Sequence, residues 1–313
     1  MTRITLLGPQ RNAITVTQEL ERLGLPGQIA AITAGWQERE AEDDELQEAI
    51  GHRAVNLLLH HRAERMFYED QELFRAHRAR QDLLRQMQDL YKLRLDAYLD
   101  AAQLLFHRAG PSDLLEPERQ AAVMALRDLD SHHLSRIREV HARFETEMRP
   151  ADRWAVAKQR DEIREILDEC KVVVIAGGHV ATLLTRIRLL GVDTMLSDKA
   201  VVAWSAGAMV LTERVVLFHD RPPEGPGNAE VLDTGLGLLQ DVVALPHVTR
   251  RLKLDDTPRM SLFARRFSPS MCLALDPFCR ARWDGEQWDL QDGTWVLGQD
   301  GQLGASGPEA AGP

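Results

Sequence analysis

The chain has 313 residues, of which 44% are hydrophobic and 27% charged, and carries a net charge of −10. That balance fits a globular protein of one large or two smaller α/β units. It argues against a general nucleic-acid or anionic-membrane binder. No stretch approaches the roughly 18 apolar residues of a membrane span, and the three cysteines, Cys170, Cys272 and Cys279, show no CxxC pairing for a disulfide framework or zinc site.

The opening MTRITLLGPQRN has too short an apolar run for a signal-peptide core and reads as a first strand, Ile4 to Leu7. Val16 to Leu25 has helical spacing and is closed by Gly24 and Pro26-Gly27. Ile29 to Thr33 is a second strand, so the chain begins β-α-β, the start of a parallel sheet covered by helices. From about Glu45 to Glu169 no strand is evident; Arg, Glu, Gln, Leu and Ala dominate. Leu84, Tyr91, Tyr98 and Leu105 recur every seven residues, with Met87 and Ala101 between them, and Ile137, Val140, Phe144 and Met148 form a second stripe. Ala109-Gly110-Pro111-Ser112 separates the two, which predicts a hairpin of two long helices, followed after Pro150 by a shorter helix through Arg160 to Leu167.

Strands return with Val172 to Ala176, a β-branched run buried on both faces, ending in Gly177-Gly178, with Ala181 to Leu190 helical. Ala200 to Trp204, Val242 to Pro246 and Met271 to Leu275 are further strands. Ala281 to Trp283, Gln287 to Leu290 and Thr294 to Leu297 follow, between DGE and QDG turns. The expected organisation is a discontinuous α/β domain, 1–50 and 160–300, split by a helical insertion, 51–159, with a disordered tail, 301–313.

Ala203-Trp204-Ser205-Ala206-Gly207 joins a buried strand to a helix through small residues. A serine there sits on a tight turn at the carboxyl edge of the sheet, beside a helix N-terminus that favours developing negative charge. The alternative is a helix-capping serine. The paired glycines let backbone amides approach a substrate, so Gly178 and Ala206 N–H groups are candidates for an oxyanion hole. His247 follows a buried strand and is the candidate base, although 11 histidines are present.

The order GG-H, AWSAGA, a nearby Asp, PH-V-T and a late AL-D strand resembles the dipeptidase E and cyanophycinase group of serine peptidases. Their catalytic domain resembles a class I glutamine amidotransferase with serine in place of cysteine. The resemblance covers roughly residues 1–50 and 165–300, and WSAGA is its specific part. It implies a mostly parallel, flavodoxin-like sheet flanked by helices, with Ser205 as nucleophile and His247 as base. For the third member it offers Asp276, in Leu275-Asp276-Pro277, as orienter, or Asp220, in His219-Asp220, near the substrate or sharing that role. Gly177, His179 and Trp204 then adjoin the substrate. Two positions depart from the family: His179 stands where Asn or Gln is usual, and Met209 replaces the Asn of SAGAN.

The resemblance also implies a small or unusual peptide substrate carrying an acidic residue, held by Arg. Arg250, Arg251 and Arg259 are candidates; the bland reading of them is a solvated basic loop. The insertion reads either as an oligomerisation hairpin, giving a homodimer, or as a lid that admits only short substrates. His60-His61 and His132-His133 have no third ligand at sensible spacing, so neither metal nor cofactor is expected. The other readings are a different serine acyl hydrolase or amidohydrolase on the same fold, and a non-catalytic oligomeric scaffold. A cytoplasmic location, with no nucleic-acid or membrane partner, completes the expectation.

Overall fold

A computed structural model describes residues 3–11, 13–220, 227–291 and 293–304. The chain runs β1 (Arg3–Leu7), α1 (Val16–Leu23), β2 (Ile29–Ile32), a 3-10 turn (Ala34–Arg39), α2 (Asp44–Ala49), β3 (Ala54–Asn56) and α3 (Leu59–Glu69). Then come α4 (Gln71–His107), α5 (Ser112–Met148), α6 (Trp154–Glu169), β4 (Val172–Ile175), α7 (Val180–Leu189), β5 (Ala200–Trp204) and α8 (Ala206–Leu211). It closes with β6 (Arg214–Leu217), β7 (Glu230–Thr234), β8 (Val242–Pro246), α9 (Val248–Arg251), α10 (Thr257–Phe267), β9 (Met271–Leu275), β10 (Arg280–Trp283), β11 (Trp288–Gln291), β12 (Trp295–Leu297) and β13 (Leu303–Gly304).

The main sheet has the order β11-β10-β1-β5-β4-β2-β3. From β1 to β3 all pairings are parallel, and β10 and β11 add an antiparallel edge. Its strands are apolar throughout because both faces are covered. Leu7, Ala31, Val174, Val202 and Trp204 pack with Val16 and Leu20 of α1 and Leu46 of α2. The alternate residues Leu6, Ile32, Val173, Ile175 and Ala203 pack with α3, α6, α7 and α8. This two-residue alternation is what a strand imposes on its side chains.

A second sheet, β13-β12-β9-β8, carries β8 and β9 as parallel neighbours. Val242, Ala244, Leu273 and Leu275 join the apolar cluster of the main sheet. Val243, Leu245, Cys272 and Ala274 face the other way, toward α10 and the α4–α5 hairpin. The inner stripe of the hairpin therefore has its partner within this chain. That stripe is Tyr91, Leu95, Leu99, Ala102 and Phe106, not the strict heptad: Tyr91 is 1% exposed and Tyr98 43%. An undistorted helix drifts against a seven-residue repeat, and the burial follows the helix.

A buried polar clasp fixes the hairpin to this layer. Tyr91 donates its hydroxyl to Asp130 at 2.7 Å, and Arg266 of α10 donates to both Asp130 oxygens at 2.7 Å. Arg266 also donates to Tyr91 Oη (2.9 Å) and to the Ala229 carbonyl (2.7 Å). His133 stacks on Tyr91 with ring centroids 4.1 Å apart. At the hairpin base, Arg153 bridges Asp70 and Glu72.

Four features differ from the sequence expectation. The stretch read as free of strands contains β3, only three residues long and too short to signal itself by pattern. The β6–β7 hairpin was not anticipated. The late strands divide between two sheets. Leu303–Gly304, expected in a disordered tail, pair with β12; residues 305–313 lie outside the described residues. Among the described residues, no helix is long and apolar enough to cross a membrane. No group of three His, Cys, Asp or Glu among them is placed to hold a metal ion.

Candidate active site

β5 is buried from end to end and delivers Ser205 to the start of α8 with φ 50° and ψ −122°. A non-glycine residue there is strained by about 1–3 kcal/mol. The turn is feasible because its neighbours are small. A Cβ on Gly207 would lie 2.3 Å from the Ile175 carbonyl oxygen, and one on Gly177 would lie 2.8 Å from Ser205 Cβ. Ser205 occupies the N-cap position of α8, yet its side chain makes no capping hydrogen bond. Its hydroxyl instead faces His247 Nε2 at 3.5 Å.

Gly177-Gly178 end β4 beside this turn. Gly178 has φ 118° and presses on Gly35, whose carbonyl accepts the His179 N–H at 2.7 Å. The turn after β2 thus buttresses the glycine corner. Sequence reasoning passed over Gly35; its only signal was a glycine two residues after a strand. His179 is exposed and caps α7, its Nδ1 accepting from Thr182 N–H at 3.2 Å.

His247 closes β8 in the left-handed region, φ 61° and ψ 38°, and donates its N–H to the Leu275 carbonyl at 3.1 Å. Burial holds its imidazole below the ordinary range, reinforced by the charges of Arg251 and Arg250 and opposed by Asp276. A neutral imidazole facing a serine hydroxyl is ready to accept its proton.

Neither candidate carboxylate bonds to that ring among the described residues. Asp276 accepts from the Thr249 hydroxyl and from Thr249 N–H, the latter at 3.2 Å. It lies at the end of β9, next to the strand that ends in His247, and acts on the imidazole through its charge. Asp220 is buried and engaged elsewhere: Arg259 Nε donates to it at 3.0 Å and Lys253 N–H at 3.2 Å. That ion pair takes Arg259 out of the set of free cations. Arg250 is exposed and Arg251 lies over Phe218, its Cζ 5.7 Å from the ring centroid. Trp204, expected beside the substrate, is 7% exposed and packed in the core under the sheet, because its alternation along β5 points it there.

The site therefore brings together Ser205, His247, Gly177 and the Ala206 amide, with Arg250, Arg251 and Asp276 around the imidazole. The profile of Peptidase family S51 matches residues 125–290. No curated protein matches the chain. Among the solved structures that resemble it are a peptidase from an acI-B1 Actinobacterium and a protein of Listeria monocytogenes EGD-e described as a candidate peptidase E. The first is 13% identical with a TM-score of 0.47, over 96% of this chain and 91% of its own. The second is 11% identical with a TM-score of 0.45, over 93% of this chain and 98% of its own.

Proposed function

On the premise that this chain belongs to peptidase family S51, and so is a serine-type peptidase, we propose that Ser205 is its nucleophile and His247 its general base. The observation that carries this reading is a serine at a helix N-cap that declines to cap, its hydroxyl turned toward an imidazole 3.5 Å away. In the reaction, Ser205 Oγ attacks the scissile carbonyl and its proton passes to His247 Nε2. The carbonyl oxygen gains negative charge and accepts hydrogen bonds donated by the Gly178 and Ala206 amides. His247 then protonates the departing amine. Water, activated by the same imidazole, hydrolyses the acyl ester and restores the serine.

The substrate is a small peptide with an acidic residue beside the scissile bond. Arg250 and Arg251 support this, since both carry their charge close enough to depress the imidazole of His247. Arg259 has no part in it while paired with Asp220.

A fluorophosphonate probe with mass mapping tests the nucleophile: labelling falls on Ser205 and vanishes in Ser205→Ala. Folded protein that stays unlabelled, and cleaves nothing in a dipeptide library, sinks the proposal. The same library tests the substrate, acidic dipeptides being cleaved in preference to their amide counterparts.

A further inference from the structure

The two histidines at the edge of the site, His179 and His247, occupy the same place in local structure. Each is the N-cap residue of a helix. An N-cap side chain ordinarily accepts a hydrogen bond from the N–H two or three residues on. His179 does so: its Nδ1 takes the N–H of Thr182, and the ring is tied to its own helix. His247 does not, and its ring is turned to Ser205. The N–H groups that His247 could cap belong to Thr249 and Arg250: the first is taken by the Asp276 carboxylate, which also receives the Thr249 hydroxyl, and the second bonds to the His247 carbonyl at 3.1 Å.

We infer that Asp276 and Thr249 form a backbone clamp that stands in for the missing N-cap side chain of α9 and so releases the His247 imidazole to face the nucleophile. The inference rests on the reading of Ser205 and His247 as nucleophile and base. Three attachments hold the left-handed backbone of His247. Its N–H bonds to Leu275, its carbonyl accepts from Arg250 and Arg251 at 3.1 and 3.0 Å, and the residue two further on is clamped to Asp276. A left-handed non-glycine residue persists only where its surroundings over-determine it. Two of these attachments come from Leu275, the last residue of β9, and from Asp276 directly after it, so the end of β9 sets where the base stands. Asp276 and Thr249 are thus positioning residues. Asp276 acts on the imidazole through the backbone and through its charge, not by a bond to the ring.

The clamp is tested with Thr249→Val, Thr249→Ser, Asp276→Asn and Asp276→Ala. The readouts are kcat and KM on an acidic dipeptide, the pH profile of kcat/KM, and the NMR of the His247 ring. Thr249→Val is expected to lower kcat by about 10- to 100-fold with KM nearly unchanged, the cost of a misplaced group, and Thr249→Ser to recover most of it. Asp276→Asn keeps an acceptor oxygen and is expected to lose less than Asp276→Ala. Both Asp276 variants move the acid limb to lower pH, whereas Thr249→Val leaves it in place. Full activity in Thr249→Val overturns the clamp. So does a loss of about 10⁴-fold in Asp276→Asn, the size seen when an Asp orients the base by a direct bond. If no substrate is cleaved and Ser205 is not labelled, the peptidase reading has failed, and the clamp is judged by NMR alone. A strongly deshielded Nδ1 proton on His247, the mark of an Asp–His bond, overturns it; a ring without one, whose environment changes in Thr249→Val, upholds it.

Discussion

Ser205 and His247 meet at 3.5 Å although they come from different sheets, Ser205 from the end of β5 and His247 from the end of β8. Each stands at a strand-to-helix junction with positive φ. The strained turns aim both side chains at one point, and the packing of α8 between the two sheets sets their separation.

Because the Ser205 hydroxyl caps nothing, Ser205→Ala is expected to separate activity from stability. Peptide hydrolysis falls by at least about 10⁴-fold. The unfolding free energy changes by less than about 1 kcal/mol, whereas loss of a capping serine typically costs about that much or more. Urea unfolding beside kinetics reads both, and a clear loss of stability would restore the capping role.

The acid limb of kcat/KM reports the free base and is expected below the ordinary imidazole value of about 6.5. Activity is lost as pH falls through that limb, because His247 must be neutral to accept the proton. Arg250→Ala or Arg251→Ala removes a positive charge that disfavours protonation, so either substitution moves the limb upward. A limb that stays in place in both variants contradicts the electrostatic account.

Gly207→Ala forces a Cβ to 2.3 Å from the Ile175 carbonyl oxygen, a backbone atom that has little freedom to retreat. Overpacking of this kind costs about 1–3 kcal/mol or more. Gly177→Ala meets Ser205 Cβ instead, at 2.8 Å. Its expected mark is kinetic, a fall in kcat of about 100-fold from displacement of the Ser205 side chain. Thermal unfolding and steady-state kinetics on the pair distinguish the two effects; equal kinetic and stability losses in both would refute the distinction.

The Asp130–Arg266 pair is buried on both sides, so Asp130→Ala leaves an uncompensated guanidinium. The expected cost is about 3–5 kcal/mol. Hydrogen exchange in α4 should rise at the same time, since Tyr91 loses its acceptor as well. Unchanged protection in α4 would show that the clasp does not hold the hairpin.

Two buried histidines of the hairpin make stability depend on pH. Burial depresses His77 to about 3 and His133 to about 4. Unfolded, each titrates near 6.5, so between about pH 6.5 and 4 the unfolded chain binds more protons. Stability is fully present above that window. It falls with pH by up to about 1.4 kcal/mol per unit for each histidine. Urea unfolding at pH 7 and 5 measures the slope, which His77→Leu with His133→Gln should flatten; an unaltered slope assigns it to other groups.

Much of this protein was legible in its sequence. Unbroken apolar runs such as Val172 to Ile175 and Ala200 to Trp204 mark strands covered on both faces, and the turn residues 109–112 mark the head of the hairpin. The place of Ser205 on a tight strand-to-helix turn was legible because a strand, a serine and small residues in succession leave few other structures. These signals are local: each rests on a few neighbouring residues obeying one period or one turn. What only the tertiary structure decided depends on residues far apart in the chain. The parting of the late strands into a second sheet, the burial of Trp204, the pairing of Asp220 with Arg259 and the attachment of Asp276 to Thr249 are of this kind. A carboxylate near a histidine in motif order can bond to whichever donor the packing brings within 3 Å or so, and no spacing along the chain records that choice.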